Sequence, residues 1–168
     1  MPTTFAISSR LATPANEVWR VVSSMRGVND ELAPWLRMTH PRGVDRLDAQ
    51  EVPLGRPLFR SWLLLFGVLP VDFDHIGFAR VEPGRGFREE STMLTMRAWT
   101  HERTIAPVLG NEGGCELTDR IELEPRLALA LPLSQRITAA LFRHRHRRLR
   151  ARFGELPASA GDSRHTVS

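Results

Sequence analysis

The stretch Ser134–Phe153, SQRITAALFRHRHRRLRARF, contains neither proline nor glycine, and Gly154 follows it directly. A long helix with a glycine just beyond its last turn has this form, because only glycine enters the left-handed conformation without steric cost. At about 100° per residue, Phe142, His146, Leu149 and Phe153 fall in one narrow stripe with arginines on both sides. The helix therefore docks by that stripe and leaves its arginines along the flanks.

Upstream of the helix, apolar runs between Arg37 and Arg126 are interrupted at short intervals by proline and glycine, which predicts an antiparallel meander. The clearest strands are Asp74–Val81, Gly86–Thr95, Met96–Ile105 and Cys115–Leu123, with turns at Glu82–Arg85 and Gly110–Gly113. They pair in sequence order. Leu58–Leu69 fits a strand or a short helix, since a continuous apolar run does not disclose its period. At the start of the chain, Phe5, Ile7, Ser9 and Leu11 alternate as in a half-buried strand. Thr13-Pro14 then supplies a capping hydroxyl and a proline for a helix from about Pro14 to Met25. A second short helix around Asn29–Leu32 is limited by Pro34.

At 168 residues, with 42% hydrophobic and 25% charged residues, the composition suits one globular domain. A lone cysteine, Cys115, and a start without a basic segment followed by an apolar one predict a cytoplasmic protein. The apolar run Trp62–Val71 is about half of the roughly 20 residues that span a bilayer, so no transmembrane segment is expected. All 23 basic residues are arginine, which GC-rich codon usage explains, and the net charge of +4 is modest. No nucleic-acid partner is expected.

The succession of a strand, two helices, a strand meander and one long helix resembles the START-like, or SRPBCC, superfamily. Ala12-Thr13-Pro14-Ala15-Asn16-Glu17-Val18-Trp19 is similar to that superfamily's entry into its first helix. Leu141-Phe142-Arg143-His144-Arg145-His146-Arg147-Arg148-Leu149 resembles the terminal helix of uncharacterised bacterial members. The resemblance implies an α+β helix-grip fold over residues 1–154. In that fold a curved antiparallel sheet of about six or seven strands wraps around the long helix, with two short helices after strand one. Residues 155–168 are expected to form a disordered tail. The resemblance implies a hydrophobic small-molecule ligand, such as a lipid, polyketide or aromatic metabolite, held between sheet and helix without a cofactor. It leaves open a polyketide cyclase- or dehydratase-like enzyme acting on that ligand. A third alternative is an interaction protein that meets a membrane or partner through its arginine-rich helix or the Leu63–Leu69 surface. Oligomeric state is not legible.

The expected lining comprises Trp62, Leu64, Phe66, Phe78, Met93, Trp99, Phe142 and Leu149, which would otherwise simply fill a core. Alternation on one strand puts Trp99, His101, Arg103 and Ile105 on one face, and on the next strand Asp119 lies among Leu117, Ile121 and Leu123. An acid in such surroundings pairs or shifts its pKa. His101, Arg103 and Asp119, joined by His146 from the helix, are therefore expected as an inward polar cluster. His101 and Asp119 are the candidates for acid and base chemistry; an Arg to Asp bridge with a satisfied histidine is the plainer reading. Asp72, Asp74 and His75 look superficially like metal ligands. Alternation sends His75 away from the acids, so they read as surface acids and no metal is expected. Neither Ser134 nor Cys115 sits in a nucleophile signature.

Overall fold

The computed structural model describes residues 3–46 and 53–157. Seven strands form one antiparallel sheet: β1 (Thr3–Leu11), β2 (Leu36–Met38), β3 (Pro57–Leu65), β4 (Leu69–Glu82), β5 (Gly86–Met93), β6 (Met96–Val108) and β7 (Asn111–Pro125). Their order is β1-β7-β6-β5-β4-β3-β2, so each hairpin pairs with its neighbour in sequence and β1 returns to close against β7. Two short helices, α1 (Ala15–Val22) and α2 (Met25–Leu32), follow β1, and α3 (Leu131–Phe153) crosses the curled sheet.

Leu58–Leu69 resolves as strand β3 and the tight turn into β4. β3 pairs with β4, and the turn is made at Phe66 and Gly67, both in the left-handed region with φ of 52° and 75°. Ser24 interrupts the single early helix that the spacing of Val18, Val22 and Met25 predicts. Its side chain accepts from Gly27 N and caps α2, which therefore begins earlier than Asn29. Thr13 does not cap α1. Its hydroxyl donates to Phe153 O at 2.9 Å, tying the start of α1 to the end of α3. Leu156 N bonds Arg10 O at 3.0 Å, so the first residues of the expected tail extend β1's edge; Ala158–Ser168 lie outside the described residues.

The interior is layered along α3. One apolar cluster, at the end where α3 finishes, gathers Leu11, Val18, Val22, Phe78, Ile105, Leu117 and Leu149 beneath α1 and α2. A second, at the end where α3 begins, gathers Met93, Met96, Ile121, Leu123 and Phe142. Between them β1, β5, β6 and β7 contribute buried polar residues: Ser9, Ser91, His101, Arg103 and Asp119.

Candidate functional site

Arg103 and Asp119 face each other across the β6–β7 pair, and neither side chain reaches solvent. Arg103 donates from Nε and Nη2 to the two Asp119 oxygens at 2.7 and 2.8 Å. It donates from Nη1 and Nη2 to both oxygens of Glu31 on α2 at 2.9 Å each. Arg145 of α3 adds Nε to Glu31 Oε2 at 2.9 Å. Asp119 also accepts from His101 Nε2 at 2.9 Å and His146 Nε2 at 3.1 Å, which fills its acceptor positions. His146 Nδ1 bonds Ser9 Oγ at 2.8 Å, and Arg150 Nη1 donates to the same hydroxyl at 2.9 Å. The belt thus fastens α2, α3 and β1 to the centre of the sheet.

Electrostatics favour the charged forms of Asp119, Glu31 and Arg103. Burial alone raises the Asp119 carboxyl, but the Arg103 guanidinium and then His101 outweigh it and hold the group well below its ordinary range. Glu31 likewise lies below its usual value, because Arg103 and Arg145 overcome the cost of burial. The same two acids raise Arg103 against its own desolvation.

Beside the belt lies a pair of acids, Asp74, which the sequence reading placed at the surface, and Glu89. Asp74 pairs in register with Ser61 and Met93, both buried, and is itself 2% exposed. Burial and then the neighbouring Glu89 push the Asp74 carboxyl well above its ordinary value. Glu89 moves the other way, since His101 and Ser91 offset its burial. Ser91 Oγ donates to Glu89 Oε1 at 2.6 Å, and His101 Nδ1 stands 3.8 Å from Glu89 Oε2. Asp74 is thus the acid of the pair shifted toward its neutral form, and its buried Oδ1 has no hydrogen-bond partner. Asp72 instead caps Phe73 N at 2.8 Å and Leu94 N at 2.9 Å at the β5–β6 turn. His75 takes the opposite face of β4, beside Phe73 and Arg60. Among the described residues no group of three or more His, Cys, Asp or Glu side chains is placed to hold a metal ion.

Of the expected lining residues, Met93, Trp99 and Phe142 come together in the second apolar cluster. Phe142 lies at its centre, with ring centroids 6.0 Å from Phe5, 6.3 Å from Trp99 and 5.1 Å from His101. Phe78 and Leu149 sit beyond the belt in the first cluster. Trp62 and Leu64 share the face of β3 opposite to buried Ser61, and Trp62 and Phe66 are 42% and 59% exposed. The turn and the register thus carry these three away from Phe142. The arginine run is less of a solvated face than its spacing implies: Arg145 is buried on Glu31, and Arg148 and Arg152 bond Asp30. Glu31, Asp74, Glu89 and Ser9 were missed. Ser9 had a signal, since it alternates with Ile7 and Leu11; Glu31 had none, because α2's packing is not written in its own residues.

Two grooves border α2. One, of about 400 Å³, lies between α2 and α3, with Glu31 and Leu149 in its walls. The other, of about 740 Å³, includes Arg26, Arg37 and Arg46. Neither is lined by a residue of β4 to β7.

The curled sheet gripping a terminal helix over a layered interior is the START-like architecture. The chain belongs to the family described as "Domain of unknown function (DUF8410)", whose model matches residues 9–153. Among solved structures, protein CV1439 from Chromobacterium violaceum superposes with a TM-score of 0.67 at 17% identity, covering 91% of this chain and 99% of that one. A START superfamily protein from Mycobacterium smegmatis gives a TM-score of 0.62 at 12% identity, covering 89% and 96%. Ara h 8.0201 gives 0.56 at 8% identity, covering 90% and 99%. At these identities the likeness is one of fold. No curated protein matches the sequence.

Proposed function

We propose that this protein binds a hydrophobic small molecule in the compartment around Phe142, with the polar end of that molecule against the belt. The observation that carries the reading is the unpartnered, buried Oδ1 of Asp74, in register with Met93 of the methionine-containing apolar cluster. A buried polar atom without a partner costs free energy, and a ligand hydroxyl or amide donor would relieve that cost. Met93 and Met96 are unbranched and repack readily, and Phe5, Ile7, Trp99 and Leu131 around them are only partly buried. A guest would enter by displacing this looser packing while the belt holds the remainder of α3. His101, Arg103, Asp119 and His146 then form the polar wall, with only the His101 ring, packed edge-on against Phe142, near the guest.

Catalysis on the guest is the second reading, favoured by a carboxyl on Asp74 shifted toward its neutral form and an imidazole on His101 flanking the same Glu89. The Asp74 carboxyl would then supply the proton donor of a cyclase- or dehydratase-like step. Among the described residues no helix is long and apolar enough to cross a membrane, and the buried free thiol of Cys115, raised to about 11 by burial, suits the proposed cytoplasmic setting.

Native mass spectrometry of protein purified from its own host tests binding. A retained apolar adduct, lost or weakened about tenfold in Trp99→Ala with the fold intact, is expected, since a buried aromatic contact contributes over 1 kcal/mol. An adduct-free spectrum, with no response to apolar dyes, overturns the reading. Turnover of the adduct abolished by Asp74→Asn would favour catalysis.

A further inference from the structure

The exposed apolar side chains are not scattered. β3 and β5 end, and β4, β6 and α3 begin, at one end of the molecule. Hydrogen bonds hold the segments there together: Phe66 N to Trp35 O at 2.8 Å, Leu94 N to Phe73 O at 3.2 Å, and Arg126 N to Thr95 O at 3.0 Å. The β3–β4 turn presents Phe66, Val68 and Leu69 at 59%, 79% and 56% exposure. The β7–α3 junction presents Leu127, Leu129 and Leu133 at 74%, 97% and 62%. At the opposite end, where α3 finishes, large exposed apolar residues among the described ones are confined to Leu54 and Leu109.

Charge divides along the same axis. At this end residues 61–71 and 125–137 contain no acid. Exposed Arg126 and Arg136 belong to the second segment, and exposed Arg37 pairs with Leu64 beside the β3–β4 turn. The acids nearest this end are engaged, Asp72 by the β5–β6 turn and Glu124 by Arg97 at 3.6 Å. The other end carries mixed charge in pairs such as Arg80 with Glu82 and Glu102, and Arg150 with Glu155.

We infer that the end of the molecule formed by the β3–β4 turn and the β7–α3 junction docks onto an anionic lipid surface. Projecting leucine, valine and phenylalanine side chains insert shallowly between headgroups, while Arg37, Arg126 and Arg136 attract negative phosphates. A second copy of the chain fits less well, because two such ends would bring arginines against arginines. Membrane contact here is peripheral and uses loop tips, in contrast to the arginine flanks of α3, which the belt and Asp30 occupy. It does not depend on a guest near Phe142.

Cosedimentation of the full chain with vesicles of phosphatidylcholine, alone or with 30% phosphatidylglycerol, tests this. The expected result is association at least about tenfold stronger with the anionic vesicles, reduced several-fold by molar salt. The double variant Val68→Glu, Leu129→Glu loses most of it, and Leu109→Glu at the far end retains it. All three side chains are so exposed that folding is expected to survive, with circular dichroism as the check. No association with either vesicle overturns the inference, as does equal loss in Leu109→Glu. Self-association that the double variant abolishes, without vesicle binding, assigns the surface to a second copy and equally overturns it.

Discussion

The two apolar clusters on either side of the belt are built from different materials. The one beneath α1 and α2 is dominated by rigid, fully buried side chains, Leu11, Val18, Val22, Leu117 and Leu149, enclosed by two helices. Among the described residues, the one beneath the start of α3 is smaller, with two methionines among its five buried side chains against Met25 alone among fourteen in the first, and no residue of α1 or α2 belongs to it. The first is a scaffold whose cost of disruption is high; in the proposed reading the second is where a guest displaces side-chain contacts. The belt separates them because its charges bind each other so completely that neither cluster can merge with the other.

The sharpest way to break this comparison is at the belt itself. Arg103→Met leaves Asp119 and Glu31 buried without their principal partner, and about 3–5 kcal/mol of stability should be lost in urea unfolding. A loss under 1 kcal/mol would mean that the belt is solvated or that the acids take up protons without penalty. Next in size, Leu117→Ala in the enclosed cluster should cost about 3–4 kcal/mol and Met93→Ala in the smaller one nearer 2. Equal costs would show the two clusters to be equally rigid.

The smallest effect concerns pH and separates the belt from the acid pair. Asp119 and Glu31 are lowered in the fold, so their contribution is complete above ordinary carboxylate values and disappears as pH falls below them. Asp74 is raised, so its contribution is complete in acid and disappears as pH rises through its elevated value. Melting temperatures measured from pH 3 to 9 should therefore fall on both sides. Asp74→Asn should flatten the alkaline flank while leaving the acidic one in place; an unchanged alkaline flank would show that Asp74 is ionised in the fold.

Much of this was legible in one dimension. The period of two along β6 and β7 puts His101, Arg103 and Asp119 on the buried face, and the helical period brings His146 to them. Local alternation therefore assembled most of the polar centre. It failed for Trp62 and Leu64, where the run Trp62–Val71 is apolar on both faces and no pattern shows which faces inward. It failed again at Asp74, because alternation distinguished its face from His75's without showing that its face is the buried one.

Sequence by itself determined the order of elements, the long terminal helix with its glycine stop, and the residues that share a face, since these follow from backbone periods a few residues long. Tertiary structure alone decided that Glu31 and Arg145 complete the belt, that Asp74 is shifted toward its neutral form beside Glu89, and that apolar turns distant in the chain meet at one end. Those facts depend on which elements approach one another and how far water is excluded between them, and neither quantity is set by neighbours along the chain.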